Sequence, residues 1–213
     1  MENYLAFLDV FNPENLIQVG GLTLLILIIF AETGLFFGFF LPGDSLLFVA
    51  GLLSQSKYLD VPIWLMIIVL IIAAGLGSTA GYLTGRWAEK YLTNMRENIF
   101  YKKKYLEMTR DFYDKYGMMA FVLGRFVPII RTFVPILSGI VRIDFPKFVF
   151  YNFLGAALWI ITMVMAGHLL GNAFPQITEH LELIVVGMIL LSTLPVIITW
   201  LRHQKRENEM NKN

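Results

Sequence analysis

The feature of this sequence that most constrains its fold is a pair of long apolar segments, each broken near its middle by charges and prolines. The first segment covers residues 16–53 and the second covers residues 118–141. Proline removes a backbone donor and clashes with the preceding helical turn, so neither segment can form one regular helix. We predict that both are re-entrant hairpins, because irregular backbone at membrane depth must be buried in protein or line a wet cavity. The predicted hairpin breaks are Pro42, Gly43, Pro128 and Pro135.

Three further apolar stretches, 61–85, 145–170 and 183–201, are each long enough for one membrane crossing, which takes about 20 residues. Of the 213 residues, 57% are hydrophobic and 15% are charged, which is too apolar for a soluble domain of this size. The sequence therefore predicts an all-α integral membrane protein, with residues 1–213 forming a single membrane domain.

The distribution of basic residues predicts the orientation of the chain. Residues 86–115 contain eight Lys or Arg and the tail 202–213 contains four, whereas residues 172–182 contain none. By the positive-inside rule, the connector 86–117 and the C-terminal tail are cytoplasmic, while the side of the N-terminus stays open. Aromatic residues and lysines alternate at helical spacing in the connector. They predict an amphipathic helix, either on the anionic membrane surface or packed on the bundle.

Composition and motifs argue against several classes of protein. The net charge of +1, without a basic patch interleaved with aromatics, argues against nucleic acid as a partner. The chain has no cysteine and no HExxH, nucleophile-elbow or P-loop motif, so we predict no enzyme activity, no metal and no cofactor. His168 and His180 have no partner at metal-ligand spacing, and we interpret them as core or interface residues.

Two motifs recur at the same offset of 86 residues, which indicates an internal repeat. GFFLP at Gly38 matches GRFVP at Gly124, and AGYLTG at Ala80 matches AGHLLG at Ala166. Each unit would be a broken hairpin followed by a crossing helix. Because one crossing separates the hairpins, the second unit would be inverted, as in many secondary transporters. Chance similarity between small, apolar residues is the alternative. The units cover about 16–85 and 118–171, and an additional C-terminal transmembrane helix follows at 183–201.

Small residues at four-residue spacing predict close contacts between helices rather than a ligand site. They are Gly77, Gly81 and Gly85 in the first unit and Gly167 and Gly171 in the second.

Four ionisable residues interrupt the broken segments: Glu32, Asp44, Arg125 and Arg131. Each charge at the centre of a membrane helix costs about 2.5 to 3.5 kcal/mol, so the four must be paired or hydrated. Two acids in one segment balance two arginines in the other, which predicts that the hairpin tips meet near the membrane midplane. Asp44, in Pro-Gly-Asp-Ser, can also cap the returning half-helix.

We interpret Arg125 and Arg131, with the free backbone donors of a half-helix, as a site for an anionic group such as phosphate. In the same low-dielectric pocket, the charged form of Glu32 or Asp44 is disfavoured, so either carboxylate can carry a proton. Together these residues predict a proton-linked anion carrier. The alternative is that the four charges only hold the two hairpins together.

At these residues the sequence resembles the DedA family, also described as having the SNARE-associated or VTT domain. The resemblance lies in Glu32 followed by FFLPGD at 39–44, in GYLTGR at 81–86, and in GRFVPIIRTFVP at 124–135 with Ser-Gly at 138–139. It covers about residues 16–201. It places the functional acids of the family at Glu32 and Asp44 and its arginines at Arg125 and Arg131. Many relatives have glutamate where this chain has Asp44, a shorter side chain that keeps the carboxylate.

The resemblance implies a lipid transporter of the bacterial inner membrane. Members of the family include flippases that return undecaprenyl phosphate to the cytoplasmic leaflet and others that move phosphatidylethanolamine, and some are linked to the proton motive force and to resistance to cationic peptides. We therefore expect a flippase or scramblase for a phosphate-bearing lipid, with undecaprenyl phosphate as the leading candidate and protons as a possible co-substrate. The alternatives are a transporter of phosphatidylethanolamine or another phospholipid, a proton-coupled exchanger of small ions, and a structural or assembly factor.

Overall fold

The computed structural model describes residues 13–38, 41–54, 59, 61–92 and 117–174, and within these ranges the secondary structure is helical, without strands. The predicted C-terminal helix at 183–201, the tail, His180 and residues 93–116 of the connector lie outside the described residues. The helices are α1 (Pro13–Gly34), α2 (Gly43–Leu52), α3 (Ile63–Leu92), α4 (Met119–Gly124), α5 (Pro128–Ile140) and α6 (Phe145–Ala173).

Both long apolar segments are broken, as predicted. The first divides into α1 and α2, with the break between Gly34 and Gly43. The second divides into α4 and α5, with the break between Gly124 and Pro128. Pro128 is the first residue of α5, where a missing backbone N–H costs no helical hydrogen bond and the fixed φ suits the helix. A further kink lies inside α1 at Gly21, whose φ of 52° is not helical.

Two local predictions are wrong. The chain does not break at Pro135, because α5 continues through it to Ile140. Pro135 removes only the hydrogen bond that it would donate to the carbonyl of Arg131, and α5 packs tightly on α3 just beyond it, at Ile136 and Gly139. Nor does Asp44 cap α2: the N-cap is Pro42, and Asp44 lies in the first turn with its carboxylate engaged elsewhere.

The helices α3 and α6 form the frame of the molecule. Residues 63–89 and 145–173 are long and apolar enough to cross a membrane, whereas the other described apolar helices are shorter. At about 1.5 Å per residue, each long helix extends for about 40 Å, which exceeds a hydrocarbon core of about 30 Å. Exposed apolar side chains follow one face of α3 at four-residue intervals: Trp64, Ile68, Ile72 and Leu76. That face suits a lipid environment.

The start of α6 is capped, and its position beside α3 makes the two long helices antiparallel. The carboxylate of Asp144 accepts the backbone N–H of Lys147 at 3.1 Å, which caps α6. Tyr82, in the C-terminal half of α3, stacks on Phe148 near the N-terminus of α6, with ring centroids 4.6 Å apart. The N-terminal end of α6 therefore lies beside the C-terminal part of α3.

The two short helices that follow the breaks run in opposite directions. Along α5, Arg125 before its start reaches Ser78 of α3, and Arg142 beyond its end reaches Glu89. Helix α5 is therefore parallel to α3. Along α2, Asp44 contacts the middle of α6 at Trp159, and Ser54 beyond its end contacts His168. Helix α2 is therefore parallel to α6, and because α3 and α6 are antiparallel, α2 and α5 diverge from the middle of the frame.

The predicted packing glycines lie where helices approach each other. A Cβ at Gly85 would overlap the carbonyl of Ile136, and one at Gly167 would overlap the carbonyl of Phe48. Gly81 is less tight, with the carbonyl oxygen of Gly34 3.3 Å from its Cβ position. At the remaining two glycines, a Cβ at Gly77 would overlap Thr33 of α1, whereas one at Gly171 would meet Leu52 of α2 at 3.3 Å or more.

Candidate functional site: a buried charge cluster at mid-length of the long helices

The charged residues of the two breaks converge at the middle of the frame. Ser78 is the sixteenth of the 30 residues of α3, and Trp159 is the fifteenth of the 29 residues of α6. Both lie about 20 Å from the ends of their helices. All four predicted ionisable residues contact these central positions or each other, so the cluster lies at half the length of the helices that are long enough to cross a membrane.

Arg131, at the start of α5, is paired with both predicted acids. Its Nη2 donates to Oε1 of Glu32, and its Nη1 donates to Oδ1 of Asp44 at 2.7 Å. The Arg131 and Glu32 side chains are 2% and 1% exposed, so solvent screens this ion pair very little. The tips of the two broken segments therefore meet through Arg131. This triad joins α1, α2 and α5.

Trp159 completes the surroundings of the triad from α6, and the sequence analysis missed it. Its indole N–H donates to Oδ1 of Asp44 at 2.8 Å, and the Arg131 guanidinium carbon lies 4.3 Å from the centroid of its ring. That distance is within the range of a cation–π interaction. The fully buried indole thus binds the anion of the pair at its edge and the cation at its face.

Glu32 is the least satisfied member of the triad. Its Oε2 is buried and has no hydrogen-bond partner. The carboxylate packs directly on the backbone of Gly43, where any Cβ would overlap it. Glycine is therefore required at this position by the close approach of Glu32. With one guanidinium and two carboxylates, the fully ionised triad has a formal charge of −1.

Arg125 has quite different partners. Its Nη2 donates to Oγ of Ser78 at 2.9 Å and to Oδ1 of Asn152. Asn152 is itself fixed by donating from Nδ2 to the carbonyl of Gly75 at 3.0 Å, and the hydroxyl of Ser78 donates to the carbonyl of Ala74 at 3.0 Å. The guanidinium is therefore held between α3 and α6 by two neutral side chains, each fixed in turn to the backbone of α3.

Within the described ranges, Arg125 makes no ion pair, and its buried Nη1 has no hydrogen-bond partner. The two acids therefore do not divide between the two arginines, because both bind Arg131. Sequence analysis missed Asn152 and Ser78 as the partners of Arg125. The sequence feature that could have indicated these partners is a polar residue within an apolar membrane-crossing segment. Such residues, however, commonly lie at ordinary packing contacts between helices.

Both arginines line one small cavity between α4, α5 and α6. Its volume is about 10 Å³, which is room for about one water molecule. Besides Nη1 of Arg125, the buried Nε of Arg131 has no hydrogen-bond partner. Two guanidinium groups with unused donors thus border a cavity that is too small for a phosphate group. The lining residues are Phe121, Gly124, Arg125, Ile130, Arg131, Val134, Pro135 and Asn152.

His168 lies away from this cluster, near the C-terminal end of α6. Its Nδ1 is 2.8 Å from Oγ of Ser54, and its Nε2 is 3.1 Å from Nδ2 of Asn172. It therefore lies at the interface between α2 and α6, in line with its interpretation as an interface residue. No three His, Asp or Glu side chains in the described part of the chain are grouped so that they could hold a metal ion.

Comparison with known proteins places the cluster in a family. The model of the VTT domain matches residues 41–169, which include Asp44, both arginines and Trp159. Protein DedA of Escherichia coli K12 is 38% identical over 206 residues, covering 95% of this chain and 93% of that protein. The uncharacterized membrane protein ML0287 of Mycobacterium leprae is 36% identical, covering 88% of this chain and 82% of that protein.

A third relative is the inner membrane protein YqjA of Escherichia coli K12, which is 30% identical over 174 residues, covering 82% of this chain and 76% of that protein. No solved structure matches the chain. The family match covers more than half of the chain, and the relatives align over most of their own length. The chain is therefore a membrane protein that belongs to the DedA family and contains its VTT domain.

Proposed function

We propose that this protein transports a phosphate-bearing lipid across the bacterial cytoplasmic membrane, with Arg125 as the main contact for the headgroup and Arg131 beside it. The resemblance to the DedA family makes undecaprenyl phosphate the leading candidate for the lipid. Phosphatidylethanolamine and other phospholipids share the phosphate group and are the alternatives within the same class. The activity is movement of a lipid without a chemical conversion.

The observation that carries the proposal is the state of Arg125. A buried cation is costly unless it is paired, and the described residues give Arg125 only neutral partners. Its unused Nη1 faces no competing carboxylate, because both acids bind Arg131. Arginine also presents a planar set of donors that matches phosphate oxygens. An anionic headgroup would supply the partner that Arg125 lacks.

The arrangement of the helices supports a transport role. Each break lies at mid-length of the long helices, and the helices that follow the breaks run in opposite directions. These two features support the proposal of two re-entrant hairpins in an inverted repeat, an architecture in which transporters bind substrate near the midplane between the units. In the membrane, the hairpins would enter from opposite faces, with the connector and the tail on the cytoplasmic side.

A lipid substrate is favoured over a small ion by the surroundings of the two breaks. Large apolar side chains at both breaks are exposed in the described part of the chain: Leu35, Phe36 and Phe37 before α2, and Phe126 and Val127 before α5. Phe36 also contacts Phe133 of α5, with ring centroids 4.9 Å apart. These side chains offer an apolar route beside the arginines, so the headgroup could enter the cluster while the lipid tails stay in the bilayer.

Proton coupling follows from the charges of the cluster. The two guanidiniums and two carboxylates sum to a net charge of zero, so an arriving phosphate group would leave the cluster with a net negative charge in a low-dielectric site. A proton bound by Glu32 would offset that charge, and its Oε2 is not engaged by any other group. We therefore propose that Glu32, with Asp44 as its neighbour, carries the coupled proton. In that case Glu32→Gln, which keeps the shape but cannot release a proton, abolishes the dependence of transport on the proton gradient.

Two rival functions make different predictions. A proton-coupled exchanger of small ions would use the same charges but would move no lipid. A structural or assembly factor would need the charges only for folding. The rivals are separated by reconstituting the purified protein in vesicles with fluorescent lipids that share one tail and differ in their headgroup.

The deciding comparison is between the movement of polyprenyl phosphate and that of the matching polyprenol, which lacks the phosphate. The proposal expects the phosphate to move and the alcohol to stay, and it expects Arg125→Gln to reduce phosphate-lipid movement at least tenfold per folded molecule. Equal movement of both lipids would contradict the proposed binding site for the phosphate headgroup. Movement of neither lipid, together with proton flux driven by a small anion, would favour the ion exchanger.

A further inference from the structure

Tyr82 and His168 occupy the same position in the two motifs that recur at an offset of 86 residues, AGYLTG and AGHLLG. Both side chains cross to the opposite unit. The hydroxyl of Tyr82 donates to the carbonyl of Ile143, three residues beyond the end of α5. The ring of His168 is hydrogen-bonded to the hydroxyl of Ser54, two residues beyond the end of α2. Each long helix thus binds the far end of the short helix that runs beside it.

The two contacts lie at opposite ends of the molecule. Tyr82 is in the C-terminal part of α3, beside the start of α6, where it stacks on Phe148. His168 is nine residues beyond Trp159, toward the C-terminal end of α6, about 13 Å from the central cluster. Since α3 and α6 are antiparallel, one contact closes the frame on each side of the charge cluster.

Each contact lies in a seam where backbones touch. In the seam between α3 and α5, Gly85 packs on the carbonyl of Ile136, and a Cβ at Gly139 would overlap the carbonyl of Tyr82. In the seam between α2 and α6, Gly167 packs on the carbonyl of Phe48, and a Cβ at Gly51 would overlap the carbonyl of Val164. Such seams exclude water and lipid headgroups while they are closed.

We propose that these two seams, fastened by Tyr82 to Ile143 and by His168 to Ser54, are the two gates of the transporter, which open one at a time. This proposal rests on the proposed function. The cavity between the arginines holds about one water molecule, so a phosphate group can reach it only after one side of the frame opens. In the described part of the chain, each side is fastened by hydrogen bonds and close packing, and the ion pair between Arg142 and Glu89 at the end of α5 is partly exposed. Either gate can therefore separate while the charge triad stays intact.

The test fastens one gate at a time with zinc and measures access to the cavity from each side. Ser54→His places a second imidazole beside His168, and Glu89→His with Arg142→His places two imidazoles where an ion pair of 2.7 Å now lies, at the end of α5. Two imidazoles can bind Zn²⁺ where their nitrogens each approach the ion to about 2.0 to 2.1 Å, and a chelator removes it. Val134→Cys, which lines the cavity, reports access because the chain has no other cysteine.

In oriented vesicles, an impermeant thiol reagent is added to one side or the other. We expect zinc bound at positions 54 and 168, in the seam between α2 and α6, to reduce labelling of Val134→Cys at least tenfold from that side only. Zinc bound at positions 89 and 142, in the seam between α3 and α5, is expected to reduce it from the opposite side only. Both effects are reversed by the chelator. Val134→Cys alone and Val134→Cys with Glu89→His are the controls, and zinc leaves their labelling unchanged.

Lipid movement in the same vesicles separates this proposal from the proposed function. Zinc at either gate, or a disulfide between Ser54→Cys and His168→Cys, stops polyprenyl phosphate movement if the gates act in transport. The gates would be overturned if the variants bind zinc but their labelling does not change, or if the disulfide-linked protein moves lipid at the full rate. Either result would leave the proposed function standing. If labelling responds as expected but the unfastened protein moves no lipid, the gates stand and the proposed substrate is wrong.

Discussion

Arg125 and Arg131 lie six residues apart, on either side of one break, and both are buried at the same depth, yet their surroundings differ in kind. Arg131 is bound by two carboxylates and the face of an indole. Arg125 is bound by a hydroxyl and an amide oxygen, and one of its nitrogens has no partner. The two carboxylates neutralise the charge of Arg131, whereas no described side chain neutralises the charge of Arg125.

The difference between the two sites suggests that the arginines have separate tasks. The Arg131 triad joins three helices, and in the proposed function it exchanges a proton through Glu32. In the same proposal Arg125, which is held by neutral side chains, binds an anion that comes from outside the chain. From the sequence alone, both arginines are equally good candidates for the anion contact. Substitutions at each site test whether the two arginines differ as much as their partners indicate.

The largest expected effect is on folding. Arg131→Met strands the buried carboxylate of Glu32, removes the ion pair of the partly buried Asp44, and is expected to destabilise the protein by about 3 to 5 kcal/mol. Arg125→Met strands no charge and removes only the hydrogen bonds that the oxygens of Ser78 and Asn152 accept, so about 1 to 3 kcal/mol is expected. The fraction of monodisperse protein after detergent extraction and its thermal unfolding give the comparison.

A rescue variant sharpens this test. Adding Glu32→Gln and Asp44→Asn to Arg131→Met removes the stranded charges and is expected to restore most of the folded protein. The distinction between the two arginines fails if Arg125→Met is as damaging as Arg131→Met, or if the neutral rescue variant folds no better than Arg131→Met alone.

The next effect concerns transport. Asn152→Asp is nearly isosteric and gives Arg125 the carboxylate partner that it lacks, so the surroundings of Arg125 become like those of Arg131. The protein is expected to fold, while movement of polyprenyl phosphate in vesicles falls at least tenfold because the new carboxylate competes with the headgroup. Asn208→Asp, in the polar tail 202–213, is the control. Wild-type transport by Asn152→Asp would contradict the assignment of Arg125.

The smallest effect is expected at Trp159. Trp159→Phe keeps an aromatic face below Arg131 but removes the indole hydrogen bond to Asp44. The expected loss is about 1 kcal/mol of stability, or a shift of a few degrees in the unfolding temperature. Trp159→Leu removes the face as well and is expected to cost more. If the two variants are equally stable, the cation–π contact contributes nothing measurable.

Much of this fold could be predicted from the sequence because its breaks are marked by residues with strong local effects. Prolines and charges within apolar sequence predicted both divided segments. The charges of the two segments have opposite signs, which predicted that the tips of the segments meet. Length and apolar composition located α3 and α6. The break at Pro135 was predicted wrongly because proline only weakens a helix there, and tight packing of α5 on α3 maintains it.

The partners of the arginines could not be predicted in the same way. Which acid binds which arginine depends on the rotation of α1, α2 and α5 about their axes, and a sequence motif does not specify that rotation. Asn152, Ser78 and Trp159 lie in otherwise ordinary apolar helices, and their direction toward the cluster is set by packing between α3 and α6. Asp44 was assigned to a helix cap from local sequence, but a buried guanidinium is the stronger partner for its carboxylate.

The most direct measurement of the central claim is the movement of polyprenyl phosphate per folded molecule in vesicles containing Arg125→Lys. Lysine keeps the positive charge but carries all its donors on one nitrogen. It therefore loses the planar group in which one nitrogen binds Ser78 and Asn152 and another is left for the headgroup. We predict a loss of at least tenfold, with insertion and monodispersity like those of the wild type. A folded Arg125→Lys protein that moves the lipid at the wild-type rate would contradict the claim that Arg125 binds the headgroup.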